Sequence, residues 1–298
     1  MNGEALTVII PARDAVFLPR TLASLANQED VALIAEVIVI GDGDTRTPGA
    51  LFPIRLIRTE HPVTSPVARN IGIRAAQTDW LAFLDADCLA APNWAKRLLG
   101  TAKIGHLVVG GGIAFSKVGY WSQVHNVSML HEFHVSCAAG ERPFLPSLNL
   151  LVHRSVVAQI GLMNEKLRRA QDLEWTLRMS KAGVSLWFEP SAVVTHCPRR
   201  LPGSLWCDYY ETGRTSFRVR TQYGMGQPSN WITLPIIGRV LAPVFAAALT
   251  VRLFARNSAL LPYLPAAPGV WFTKLAWCFG AASNRDSKKR SFQWPMLF

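Results

Sequence analysis

The chain is short of charge, and shorter still of acid. Charged residues make up 17% of its 298 residues, and 20 Asp and Glu stand against 31 Lys and Arg, a formal charge of +11. That imbalance favours phosphate-rich partners: nucleic acid, anionic lipid or a nucleotide diphosphate. No RNP-type pattern, zinc-finger spacing or Lys/Arg-rich recognition helix accompanies it, so no nucleic-acid partner is expected. The five cysteines, Cys88, Cys137, Cys197, Cys207 and Cys278, are odd in number, widely spaced and free of any C-x-x-C pair, indicating neither a disulfide scaffold nor a structural zinc site. No G-x-G-x-x-G follows the first strand pattern, which disfavours a nicotinamide or flavin enzyme. His125, His131 and His134 lack an H-E-x-x-H pattern and read as core or surface histidines. No basic-then-apolar leader precedes Leu6, so a reduced, cytoplasmic catalytic region is expected.

What is present is alternation. Leu6 to Ile10 is a β-branched run closed by Pro11, and Phe17, Leu18, Leu22 and Leu25 follow at helical spacing. Glu36 to Ile40 repeats the strand pattern and runs into the glycine-rich turn Gly41 to Thr45. A third strand, Ile54 to Ile57, leads to a helix from Val67 to Ala76 that carries Arg69, and Trp80 to Leu84 forms a fourth. Strands alternating with helices through Asn93 to Ala102 predict a mainly parallel, doubly wound α/β sheet of Rossmann-like character. Further on the pattern predicts strands over His106 to Phe115, Pro146 to Val152, Ser185 to Phe188 and Ala192 to Thr195, and a helix over Gln171 to Lys181 ended by Gly183.

The fourth strand stops abruptly at Asp85-Ala86-Asp87. Side chains two apart on a strand share a face, so both carboxylates are expected to converge on one hard cation or one polar ligand group, at the sheet end where α/β proteins bind ligands. The plain alternative is a strand cap and a solvated turn. Asn149 is the polar member of an otherwise apolar strand, placed beside a pocket. Asp172 falls in the first turn of its helix, where the macrodipole favours an acid without any catalytic duty. His196 ends a strand, and a neutral imidazole is a good companion to carboxylates around manganese; a plain buried histidine is the alternative.

Taken in order, these blocks resemble the family 2 glycosyltransferases of the GT-A fold. TVIIPARD is similar to that family's first strand and turn, with Asp14 where Asn is usual, and EVIVIGDGDT to its Asp-Asp-Gly-Ser-Thr turn, with Gly41 replacing the first Asp. PVARNIGIRAAQTDWLAFLDAD carries the Ala-Arg-Asn-x-Gly helix and the Asp-x-Asp; the block ending in Gln171-Asp172 resembles the acceptor side, with Gln for the usual Glu; EPSAVVTH resembles the block ending in a metal-binding histidine. The resemblance spans about residues 6 to 200. It implies a donor nucleotide, UDP-sugar favoured, over Pro11, Ala12 and Arg13, with Asp42 and Arg69 near base and ribose and with Asn149 and Gln171 also contacting substrate. It implies Mn²⁺ or Mg²⁺ held against the diphosphate by Asp87 and His196, with Asp85 acting through water. Asp172 becomes the general base of an inverting transfer, and Arg199 and Arg200 are candidates to pair with the diphosphate.

Beyond residue 203 the composition changes. Trp206 to Tyr223 is amphipathic and rich in aromatic and Arg residues, as a helix lying on anionic headgroups would be. Trp231 to Phe254 and Leu260 to Ala282 are long and apolar but broken by prolines, Arg239 and Lys274, so a shallow interfacial anchor, a spanning pair and a soluble helical cap all remain open. The basic tail, Arg285 to Arg290, favours the cytoplasmic side. The expectation is a catalytic domain over 1–203 and a membrane-associating helical segment over 204–298. This places the chain on the cytoplasmic face of the plasma membrane, acting on a lipid-linked saccharide or envelope polysaccharide. A nucleotide-sugar-binding pseudo-enzyme and a basic membrane adaptor are the competing readings.

Overall fold

The computed structural model describes residues 5–283 apart from 14–15, 43–44, 48–49, 118, 199 and 226–234. Asp14, Asp44, Arg199, Trp231 and the basic tail therefore lie outside the described residues. Nine strands form one sheet: β1 Leu6–Ala12, β2 Ile34–Gly41, β3 Ile54–Ile57, β4 Trp80–Leu84, β5 Cys88–Ala90, β6 Val108–Phe115, β7 Gly140–Glu141, β8 Asn149–His153 and β9 Trp187–His196. The order is β3-β2-β1-β4-β8-β6-β9-β5, with β7 also on β9.

The first four strands are parallel, as alternation with α1 (Leu18–Ala26) and α2 (Ser65–Ala75) predicts. Beyond them the sheet is mixed. β8 runs antiparallel to both β4 and β6, and β5 antiparallel to β9. β1, β4 and β8 are buried almost throughout, which is why they read as continuous apolar runs. The two strands expected over Ser185 to Thr195 are one. Pro190 has no N–H to give, and the β6–β9 register slips between Gly111 and Ile113, so β9 bulges there and continues.

Asn149 closes that bulge. Its side-chain N–H groups donate to the carbonyls of Gly112 (3.1 Å) and Ala192 (2.9 Å), and its oxygen accepts from the Trp94 indole of α3 (Trp94–Lys103) at 2.8 Å. The side chain is fully buried and its bonding is satisfied within the protein. Its expected contact with substrate is replaced by a structural one, because an amide in a fully buried strand must find protein partners.

The C-terminal helices share the buried apolar cluster of the sheet through Leu205, Tyr209, Leu253 and Val270. α4 (Tyr120–Leu130) and α7 (Pro202–Gln222) pack on α10 (Ala267–Ala282), and α10 in turn on α9 (Ala242–Arg256). α5 (Arg154–Ile160), α6 (Gln171–Lys181) and α8 (Pro235–Val240) complete the helices. The α7–α10 approach rests on reciprocal glycines: a Cβ on Gly213 would fall on the Trp277 carbonyl, and one on Gly280 on that of Tyr210. This overturns the reading of Trp206 to Tyr223 as a headgroup helix. Leu205, Tyr209, Gly213, Ser216 and Val219 form a buried stripe, so the amphipathic pattern records protein packing. Among the described residues no helix is long and apolar enough to cross a membrane.

Gly280→Val is expected to destabilise the fold by about 1–3 kcal/mol or more through overpacking against backbone. Gly100→Ala, on an exposed α3 position with open space around it, should instead stabilise by roughly 0.5–1 kcal/mol. Urea unfolding of the two variants measures both signs.

Candidate active site

The carboxyl ends of β1, β2 and β4 open onto a cleft of about 690 Å³. Pro11, Ala12 and Arg13 line one wall, with Gly41 and Asp42 beside them. Gly41 has φ +120°, and a Cβ there would meet the Ala12 carbonyl oxygen, which instead accepts the Asp42 N–H at 2.8 Å. That tight approach of the β1 and β2 ends explains a glycine where the resemblance expects an acid.

The two carboxylates of the Asp-x-Asp do not share a strand face. β4 ends at Leu84, and Asp85 to Cys88 is a tight turn in which the Cys88 N–H donates to the Asp85 carbonyl (3.0 Å) and Thr21 of α1 holds the Ala86 carbonyl (2.8 Å). Both acids reach the cleft with different partners. Asp85 takes Arg69 Nη2 at 2.5 Å; this guanidinium is only 3% exposed, and its Nε and Nη1 lack partners.

Asp87 takes the His196 ring, with Oδ1 3.5 Å from Nε2. β5 pairs with β9 so that Cys88 and His196 are cross-strand neighbours, and the Cys197 N–H donates to the Asp87 carbonyl (2.8 Å). Burial pushes the Asp87 carboxyl upward, but the His196 ring and the Arg200 charge outweigh it and hold the group below its ordinary value. Behind the imidazole, Asn126 of α4 is fully buried, with Oδ1 2.6 Å from His196 Nδ1 and Nδ2 donating to the His196 carbonyl (3.2 Å). With Nδ1 turned to the Asn126 oxygen, Nε2 is the ring atom that faces Asp87.

That donor set suits a divalent cation. Asp87, Cys88 and His196 place ligand atoms within 4.8 Å of one another. Burial, then Asp87 and Asp85, push the Cys88 thiol well up, which leaves the carboxylate and the imidazole as the donors of the set, a pairing that fits manganese.

Arg200, a candidate to pair with the diphosphate, lines the cleft as expected, and residues not expected there join it: Arg168 and Arg169, and Cys207, Asp208, Glu211 and Arg214 of α7. Asp208 binds Arg169 and also lies 3.6 Å from Arg200, whose Nε is buried without a partner. Of the α7 arginines expected to face headgroups, Arg214 lines the cleft and Arg218 and Arg220 do not. Asp172 and Gln171 do not line this cleft but follow the arginine loop directly. Asp172 Oδ1 accepts the Leu173 N–H (2.9 Å) and Oδ2 that of Ser147 (3.4 Å), while the Gln171 side-chain oxygen is buried and unpartnered. Ala170, which starts this helix, has φ 58°, and no other non-glycine residue among those described has a positive φ.

The fold and site define a class: an α/β protein whose strand ends offer a cation-ready pair and several arginines to an anionic ligand. Residues 7–161 match the family model for glycosyl transferase family 2, and the chain belongs to that family. AglE, a glycosyltransferase of Haloferax volcanii, is 27% identical over 308 residues, covering 94% of this chain and 93% of AglE. The pre-mycofactocin glycosyltransferase of Mycobacterium tuberculosis is 27% identical over 208 residues, 64% of this chain and 42% of that one. Among solved structures, the mannosyltransferase PcManGT of Pyrobaculum calidifontis, in complex with GDP-Man and Mn²⁺, superposes with a TM-score of 0.60 at 17% identity, covering 95% and 88% of the two chains. GalNAc-T7 with UDP, GalNAc and Mn²⁺ gives 0.55 at 17% identity over 74% of this chain and 49% of that one. These likenesses establish a mixed α/β sheet of the GT-A kind.

Asn126→Ala is expected to weaken Mn²⁺ binding about 10- to 100-fold while leaving Asp87 and His196 in place, read by titration of the metal with nucleoside diphosphate. Stability should also fall on acidification. Burial, then the charges of Arg200, His196 and Arg169, hold the His125 pKa well below its ordinary 6.5. Below that pH the unfolded chain takes up a proton that the folded chain refuses, so stability is full above it and declines from pH 7 toward 5. Urea midpoints should show this, with a shallower decline in His125→Gln.

Proposed function

We propose that the chain is an inverting glycosyltransferase that moves a sugar from a nucleotide-diphosphate sugar, a UDP-sugar favoured, to a hydroxyl of a lipid-linked saccharide or envelope polysaccharide. Its C-terminal segment holds it at the cytoplasmic face of the plasma membrane. The observation that carries the reading is the Asp87–His196 pair at the strand ends, with the Arg200 charge acting on Asp87 and both Asp87 and Arg200 lining the cleft.

A diphosphate leaves readily only if its growing negative charge is met. Mn²⁺ or Mg²⁺, held by the Asp87 carboxylate and His196 Nε2, supplies that neutralisation when bound. Arg200, with its unpartnered Nε, and Arg169 add N–H donors on the α7 side, and Arg13 lies on the β1 side. Asp42 contributes to nucleoside recognition, and the buried Arg69 does so through the Asp85 carboxylate that it holds at the cleft. Asp172 receives the proton of the attacking hydroxyl. It sits in the first turn of α6, directly after the Arg168–Arg169 pair that lines the cleft. Attack from the side opposite the leaving group inverts the anomeric centre.

Asp172 stands outside the cleft lining, and that observation keeps a nucleotide-sugar-binding protein without transfer as the second reading. Asp172→Asn separates the two. Transfer should drop by about 10²- to 10⁴-fold while Mn²⁺-dependent nucleotide binding persists. Unchanged transfer would remove Asp172 as the base, and a wild type that binds UDP-sugars but never transfers would favour the second reading. A panel of UDP- and GDP-sugars read by thermal shift identifies the donor, since a ligand at 100 times its Kd stabilises by roughly 2.7 kcal/mol.

A further inference from the structure

α9 is apolar on both sides. Ala242, Ala246, Thr250, Leu253 and Phe254 face inward, with α9 packed on α10. A surface helix is expected to turn polar residues outward, yet Val244 and Val251 are 65% and 68% exposed, with Ala247 and Ala248 exposed between them. α8 continues the face with Ile236 and Val240, 79% and 71% exposed, and the turn after α9 adds Leu261 and Leu264, 54% and 51% exposed. α8 and the turn both pack on α9, so these exposed apolar residues stand on adjoining elements, and an apolar surface of this kind marks a docking site.

The charges around it select the occupant. Arg239, Arg252 and Arg256 are exposed on the same two helices, and the sequence contains no Asp or Glu between Glu211 and Asp286. A second copy meeting this face through a two-fold axis would set arginine against arginine with no acid to separate them. Anionic headgroups over an apolar layer match both features. The length of α9 decides how it lies. Its 15 residues extend about 22 Å at 1.5 Å each, short of the roughly 30 Å hydrocarbon core.

We infer that α8, the outer face of α9 and the Leu261–Leu264 turn form an in-plane docking surface for an anionic lipid bilayer. The valines and leucines enter the acyl boundary, and Arg239, Arg252 and Arg256 reach the headgroups. This deepens the membrane placement proposed above and rests on that reading only for the acceptor. It also gives the contact a direction. α10 lies between α9 and α7, and the far side of α7 lines the donor cleft, so a docked bilayer would be joined to the cleft through three packed helices.

Vesicle flotation of the full chain tests it, with phosphatidylcholine alone and with phosphatidylglycerol added. The wild type should bind the anionic vesicles. Val244→Glu/Val251→Glu should bind them at least tenfold more weakly with an unchanged melting temperature, because both positions are exposed. Arg252→Gln and Arg256→Gln should each weaken binding on the order of fivefold and reduce the preference for phosphatidylglycerol. Absence of binding, equal binding to both vesicle types, or binding unaffected by the valine substitutions would overturn the inference. So would self-association that Val244→Glu/Val251→Glu abolishes while vesicles stay unbound. Mn²⁺-dependent UDP binding, measured on the same proteins, keeps the two proposals apart. Docked protein that binds no nucleotide would sink the transfer reading alone, and nucleotide binding without docking would sink this inference and the membrane placement while leaving the transfer reading standing.

Discussion

The site depends on one short antiparallel pairing, β5 against β9. Three residues of β5 register Cys88 opposite His196, and that register brings the Asp87 carboxylate to the imidazole. The turn from Asp85 to Cys88 is pinned by Thr21 and by the Leu148 carbonyl, so the carboxylate has little freedom to leave. Asn126 holds His196 from behind through one hydrogen bond to the ring and one to the backbone carbonyl. A metal-binding group oriented by its neighbours loses little freedom when a cation arrives.

Around this pair the cleft balances charge by paired opposites. Asp85 holds Arg69, and Asp208 holds Arg169 close to Arg200. Such pairs keep cations in a partly buried site without leaving each one uncompensated, a situation that is costly in a low-dielectric setting. Arg69 and Arg200 each keep at least one buried nitrogen without a protein partner. A chain with this excess of base and these half-satisfied arginines is built for an anionic ligand.

The C-terminal helices belong to the same structure. Gly213 and Gly280 let α7 and α10 touch backbone to backbone, and α7 then presents Asp208, Glu211 and Arg214 to the cleft. One helix therefore serves the site with its polar side and the core with its apolar side. The exposed apolar surface lies farther out, on α8 and α9, rather than on the helix whose sequence pattern most resembled a headgroup binder.

Local periodicity was enough to locate the parallel half of the sheet, the helix from Gln171 to Lys181 and the acid-rich stop after Leu84, because buried strands and amphipathic helices write their burial directly into neighbouring residues. The blocks that resemble family 2 glycosyltransferases drew attention to Asp87 and His196 together. Strand direction and register were not readable: an antiparallel β8 or β5 has the same apolar run as a parallel one, and a Pro190 bulge resembles a break between strands. Asn149 looked like a pocket residue because a lone polar side chain in an apolar run has that appearance whether it meets a ligand or a carbonyl. What the sequence determined by itself was which residues carry chemistry and which segments must be buried. The tertiary structure decided which of those residues meet, since Asn126 reaches His196, and Asp208 and Arg169 meet at the cleft, only through contacts between distant segments, and no pattern confined to neighbouring residues encodes such contacts.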